Sequence, residues 1–123
     1  MATVLFVDDE VAIRKAVSAW LTRKGHVVHE ADTPAAARAV VAAEGDRLDG
    51  VFIDLRLQEE SGVELYRWLE SAHPELARRV TFMTGDLFDA PKLQAEHGSV
   101  LRKPFELAAL EAHMHTWEGN GRG

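Results

Sequence analysis

Short, wholly apolar runs alternate along this chain with segments whose apolar residues return at helical spacing. The first run lies within residues 3–7, where Val4, Leu5, Phe6 and Val7 leave no polar position. A strand covered on both faces reads this way, as strands of parallel sheets do. Ile13, Ala16, Val17, Trp20 and Leu21 then recur at i, i+3, i+4, i+7 and i+8, the stripe of an amphipathic helix. Arg14, Lys15, Ser18 and Thr22 take its other face, and Gly25 stands where a helix end favours a left-handed residue. Residues 26–31 predict a second strand. Thr33 and Pro34 supply an N-cap and a first-turn proline for an alanine-rich helix ending near Gly45.

Val51, Phe52 and Ile53 form a third apolar run that ends on Asp54, and a loop leads from there to Gly62. Leu65, Trp68, Leu69 and Ala72 restore the helical period. Residues 80–83 predict a fourth strand, with Thr84 and Gly85 at its end. Residues 89–97 predict a short helix that tolerates Pro91 in its first turn. A brief fifth strand over 99–101 precedes Lys103 and Pro104, and Leu107, Leu110, Met114 and Trp117 mark a last amphipathic helix. Five strands, each followed by a helix and joined by short links, make a doubly wound α/β sandwich with right-handed crossovers. One domain over 1–118 accounts for the pattern, and 119–123 reads as a flexible tail.

A chain of 123 residues has room for one such domain and can bury a core. Its 46% hydrophobic and 28% charged residues match ordinary folded proteins and speak against disorder. No apolar run nears the roughly 20 residues of a membrane helix. The first residues lack the basic flank of a secretory signal, so the expectation is a cytoplasmic protein with no membrane contact. The absence of cysteine removes disulfides, thiolate metal sites and cysteine nucleophiles from consideration. A net charge of −6, with Arg78-Arg79 too short to make a basic face, argues against direct nucleic-acid binding.

In doubly wound sheets, ligands bind beyond the carboxyl ends of the strands. Asp8 and Asp9 follow the first predicted strand, Asp54 the third, Thr84 the fourth and Lys103 the fifth. Any one acid there could simply cap a helix. Arriving together from four strands, they point to one site. Two carboxylates about 4 Å apart repel by about 4 kcal/mol at an effective dielectric of about 20. A third acid adds to this, so either carboxyl pKa values rise or a cation enters. Lys103 brings one positive charge. A hard divalent ion such as Mg²⁺, which binds through carboxylates, waters and phosphate, would bring the rest. Phosphoryl acceptance needs the same parts: a nucleophile, charge neutralisation and donors for the remaining oxygens.

Six motifs, in this order, carry a resemblance. Val7-Asp8-Asp9-Glu10, Lys24-Gly25-His26-Val27-Val28, Asp54-Leu55-Arg56-Leu57, Ser61-Gly62-Val63-Glu64-Leu65, Met83-Thr84-Gly85 and Lys103-Pro104-Phe105 together resemble the response-regulator receiver domains of two-component signalling. The resemblance implies a flavodoxin-like fold, a five-stranded parallel sheet in the order 2-1-3-4-5 flanked by five helices. It implies that Asp54 is the phosphoacceptor, taking a phosphoryl group from the phosphohistidine of a sensor histidine kinase or histidine phosphotransfer protein. Asp9 would join Asp54 as a direct Mg²⁺ ligand, Asp8 would hold the ion largely through water, and the backbone carbonyl of Arg56 would be a further ligand. Thr84 would bind the phosphoryl group and move with it, and Lys103 would pair with one of its oxygens. Pro104 would follow a cis peptide bond. The implied role is a signalling switch or relay rather than a metabolic enzyme, its chemistry confined to self-catalysed phosphotransfer and slow autodephosphorylation.

Some positions depart from the family pattern. Val100 stands where an aromatic switch residue is usual, and a valine has no ring to swing between buried and exposed positions. Gly85 replaces the more usual alanine, and Thr84 and Lys103 lie closer in sequence than in many members. The combination is similar to receivers attached to hybrid sensor kinases. Arg56 and Asp86, each two positions beyond a site residue, could pair over the site and slow hydrolysis.

Two other readings compete. A Mg²⁺-dependent phosphohydrolase with an aspartyl-phosphate intermediate would carry a second acid where Arg56 stands, and a cap for which the chain lacks length. A protein-interaction module independent of phosphorylation draws support only from Val100. His26 with His29 and His113 with His115 sit at spacings that face them apart, and they read as surface or edge residues rather than metal ligands. Trp68 and Trp117 read as packing residues.

Overall fold

The computed structural model describes residues 1–57, 60–85 and 99–120, with side chains as far as Trp117. Strands β1 (Thr3–Val7), β2 (Val27–Ala31), β3 (Gly50–Asp54), β4 (Val80–Thr84) and β5 (Val100–Arg102) form one parallel sheet in the order 2-1-3-4-5. Helices α1 (Val11–Arg23), α2 (Pro34–Glu44), α3 (Gly62–Ala72), α4 (Pro74–Ala77) and α5 (Leu107–Asn120) flank it. The single turn α4, opened by Pro74, has no forerunner in the apolar spacing. The helix expected over 89–97 with its Pro91, and Asp86, lie outside the described residues. Of the stretch expected to form a tail, Gly119 and Asn120 close α5, and 121–123 lie outside the described residues.

Local chemistry sets the helix ends. Thr33 Oγ1 accepts a hydrogen bond from the Ala36 N–H at 3.0 Å, capping α2 ahead of Pro34. Ser61 Oγ caps α3 by accepting from the Glu64 N–H at 3.2 Å. Gly25 follows α1 at φ 94°, a left-handed conformation that a side chain would strain.

Alternation along each strand splits the core into two layers. Leu5, Val7, Val51, Ile53, Val80 and Phe82 face Ala37 and Val41 of α2, Leu65 and Leu69 of α3, and Leu76 of α4. Val4, Phe6, Phe52 and Met83 face Val17 and Leu21 of α1 and Leu110, Met114 and Trp117 of α5. The α1 stripe is narrower than its spacing predicts: Ala16 is exposed, and Ile13 and Trp20 are only half-buried. Trp117 is a packing residue, its ring centroid 4.9 Å from that of Phe52. Its ring lies over Gly50, where an added Cβ would fall 2.3 Å from Trp117 Cε3.

Two histidines do structural work that their spacing does not announce. His26 Nδ1 accepts from the Ala2 N–H at 3.0 Å, which leaves Nε2 to donate to Glu111 of α5 at 3.0 Å. That hydrogen bond is the main reason the Glu111 carboxyl is held below its ordinary pKa. His113 is half-buried, its Nδ1 3.2 Å from Ser99 Oγ, which lies 2.7 Å from the hydroxyl of the fully buried Thr81. The chain of polar atoms satisfies a threonine placed inside the α5-facing layer.

Gly50→Ala is expected to cost about 1–3 kcal/mol of stability through overpacking against the indole, read as a lowered thermal midpoint. Burial holds the His113 pKa below its ordinary 6.5, so the folded ring stays neutral where the unfolded one takes a proton. Stability from this site is therefore complete above the ordinary pKa and declines as pH falls below it. Urea unfolding from about pH 7 to 5 is expected to show a shallower decline for His113→Gln than for wild type.

Candidate functional site

Sheet register brings the predicted residues together. Val7 pairs with Ile53, so Asp8 and Asp54 leave neighbouring strands side by side. Asp54 pairs with Met83 and Thr84 with Arg102, while the Lys103 N–H donates to the Thr84 carbonyl at 2.8 Å. Thr84 is buried at the end of β4, and the Lys103–Pro104 peptide is cis, as the family resemblance implies. The backbone around Asp54 admits no side chain at Gly62, where a Cβ would lie 2.4 Å from the Asp54 carbonyl oxygen and 2.8 Å from Ile53 Cγ2. Gly62 thus lets α3 begin directly against the end of β3, and its N–H donates to the Leu55 carbonyl at 2.8 Å.

One ammonium organises the charges. Lys103 Nζ donates to Asp8 Oδ2 at 2.8 Å and to Asp54 Oδ2 at 3.2 Å, with Glu10 Oε1 3.6 Å away. Asp8 is fully buried, and its Oδ1 accepts from the Glu10 N–H at 2.9 Å. Asp54 Oδ1 accepts from the Arg56 N–H at 3.2 Å. Burial pushes the Asp54 carboxyl above its ordinary pKa and the charge on Asp8 adds to the rise, against the pull of Lys103. Burial also works against the Lys103 ammonium, but the hydrogen bond and charge of Asp8, joined by Asp54, outweigh it and hold its pKa high.

Asp8, Asp9 and Asp54 each offer a carboxylate oxygen, and these atoms lie within 4.8 Å of one another. A compact, all-oxygen, anionic donor set suits a hard divalent cation such as Mg²⁺. Among the described residues, a Cβ at Gly85 would meet only Lys103 Cβ, at 4.0 Å. Sequence spacing did not single out Arg14. It falls on the polar face of α1, yet its side chain is only 12% exposed and reaches back to the Asp8 carbonyl.

The sequence pattern of the response regulator receiver domain matches residues 4–115. The chain belongs to that family. This receiver domain is 34% identical over 113 residues to the sensor kinase CckA of Brucella abortus, covering 89% of this chain and 12% of that protein. It is 33% identical over 116 residues to the KDP operon transcriptional regulatory protein KdpE of Escherichia coli, covering 93% of this chain and 50% of that one. It therefore spans half or less of these relatives' lengths. A receiver domain structure from Clostridium thermocellum superposes with a TM-score of 0.85 at 22% identity, covering 97% of this chain and 95% of the other. Receiver domains are regulatory modules of two-component systems, which sets the phosphohydrolase reading aside. Among the described residues no helix is long and apolar enough to cross a membrane.

Gly62→Ala places a methyl group against backbone rather than a yielding side chain. It is expected to cost at least the roughly 1–3 kcal/mol of ordinary overpacking, read as a lowered urea midpoint.

Proposed function

We propose that this receiver domain accepts a phosphoryl group on Asp54 in a Mg²⁺-dependent reaction. The observation that carries the reading is the shared ammonium: Lys103 bonds both Asp8 and Asp54 at the strand exits, beside a third acid. An Asp54 oxygen attacks the phosphorus of a phosphohistidine, and the P–N bond breaks with its electron pair returning to the imidazole. Lys103, bonded to Asp54 Oδ2, would pair with a transferred phosphoryl oxygen. The Thr84 hydroxyl serves another. Asp9, Asp54 and the Arg56 carbonyl would hold Mg²⁺, with Asp8 acting largely through water; the ion supplies neutralisation of phosphoryl charge. The product is an aspartyl phosphate that water removes slowly.

The donor in this reading is a sensor histidine kinase or a histidine phosphotransfer protein, in the cytoplasm. Likeness to part of a protein named a sensor kinase, together with Gly85 and Val100, favours a receiver of the hybrid-kinase type. Val100 is half-buried against the α2- and α3-facing layer, so output does not run through a swinging ring at this position.

Incubation with acetyl phosphate and Mg²⁺ is expected to add one phosphoryl group to the intact mass of wild type, and none to Asp54→Ala or to chelator-treated protein. If neither acetyl phosphate nor a phosphohistidine donor modifies the protein and Mg²⁺ does not bind, the acidic cluster is structural and the interaction-only reading takes its place.

A further inference from the structure

Building on the Mg²⁺ reading of the acidic site, we propose that Arg14, held by Glu30, is a positioning residue that sets the β1–α1 turn for the cation. The turn carries Asp8 and Asp9, and its main chain is gripped from two sides. The Asp8 N–H donates to the Ala31 carbonyl at the end of β2 at 3.1 Å. From the other side, Arg14 Nη1 donates to the Asp8 carbonyl at 2.9 Å. The guanidinium is itself fixed, because Nε donates to Glu30 Oε1 at 3.2 Å. Lys15 Nζ lies 3.2 Å from the same carboxylate oxygen. Glu30 belongs to β2 and Arg14 to α1, so the clamp ties the helix and the edge strand to the peptide between the two acids.

Arginine suits this place because its planar fork serves two acceptors at once from a fixed geometry. An ammonium at the same position could satisfy the Asp8 carbonyl or Glu30, but not both in the same way. Groups that orient a ligand from behind commonly change metal affinity by 10–100-fold when removed. Arg14 acts on the peptide adjoining the acids rather than on a carboxylate, which places its effect toward the low end of that range.

Charge alone predicts the opposite sign. Removing a cation near three acids would strengthen Mg²⁺ binding, whereas loosening the turn weakens it. The test measures Mg²⁺ binding by titration calorimetry, and the Mg²⁺ dependence of acetyl-phosphate labelling, for wild type, Arg14→Ala, Arg14→Lys and Glu30→Gln. Arg14→Ala is expected to need about tenfold more Mg²⁺ for half-maximal labelling while reaching the wild-type plateau at saturating Mg²⁺. Arg14→Lys should recover part of that loss, and Glu30→Gln, which leaves the guanidinium in place but frees it, should shift in the same direction. Thermal melting without metal identifies any variant that fails to fold, and the remaining variants then decide. Unchanged or tighter Mg²⁺ binding in the folded variants overturns the proposal. Failure of wild type to bind Mg²⁺ would instead overturn the metal reading on which it rests.

Discussion

Two carboxylates that leave neighbouring strands share a single ammonium, and the carboxyl edge of the sheet depends on that sharing. Asp8 is fully buried and Asp54 nearly so, close enough that both Lys103 contacts fall within 3.2 Å. Without the ammonium, one buried acid would have to protonate or the turn would have to open. Lys103 follows the edge strand β5 while Asp8 follows β1, with β3 and β4 lying between them in the sheet. The three-residue strand β5 is thereby tied across the sheet by a charge pair as well as by its backbone ladder.

On our reading, that economy links stability to signalling. The ammonium that neutralises the resting site is the one our reading assigns to the phosphoryl oxygen, so an arriving phosphoryl group competes with Asp8 for it. A competition of that kind turns a covalent event on Asp54 into a rearrangement of contacts between strand ends. A modification shifts a conformational equilibrium only through such differences in contact between states. Thr84, whose carbonyl holds the Lys103 N–H, stands where that rearrangement would be felt next.

Strands β1 and β3 were legible because their interiors are uninterrupted: Val4, Leu5, Phe6 and Val7, like Val51, Phe52 and Ile53, are all buried, as a doubly covered strand requires. The clustering of the candidate residues was legible for a related reason. Asp8, Asp9 and Asp54 end wholly apolar runs and so sit at strand exits, and parallel register then gathers them with Thr84 and Lys103. Residues that act through a long side chain across sequence distance were harder to read. Arg14 has the spacing of a solvent-facing residue, and only the approach of β2 with Glu30 turns it inward. His26 and His113 likewise carry no local signal, since their partners Ala2, Glu111 and Ser99 come from other parts of the chain. Ala16 errs in the other direction: it fits the apolar stripe by spacing, but α1 meets the sheet along a narrower row.

The hydrogen bonds that fasten Ala2 to His26 and Thr3 to the Asp49 carboxylate lie at the edge where the strands begin. Trp117, late in α5, rests over Gly50 at the start of β3, on that same edge. The start of β1 and the late turns of α5 thus lie on the side of the sheet remote from Asp8 and Asp54. A fluorophore or immobilisation tag attached at the exposed Met1 or Thr116 would sit on that far side, leaving the acidic face clear and suiting the domain to surface-tethered binding assays.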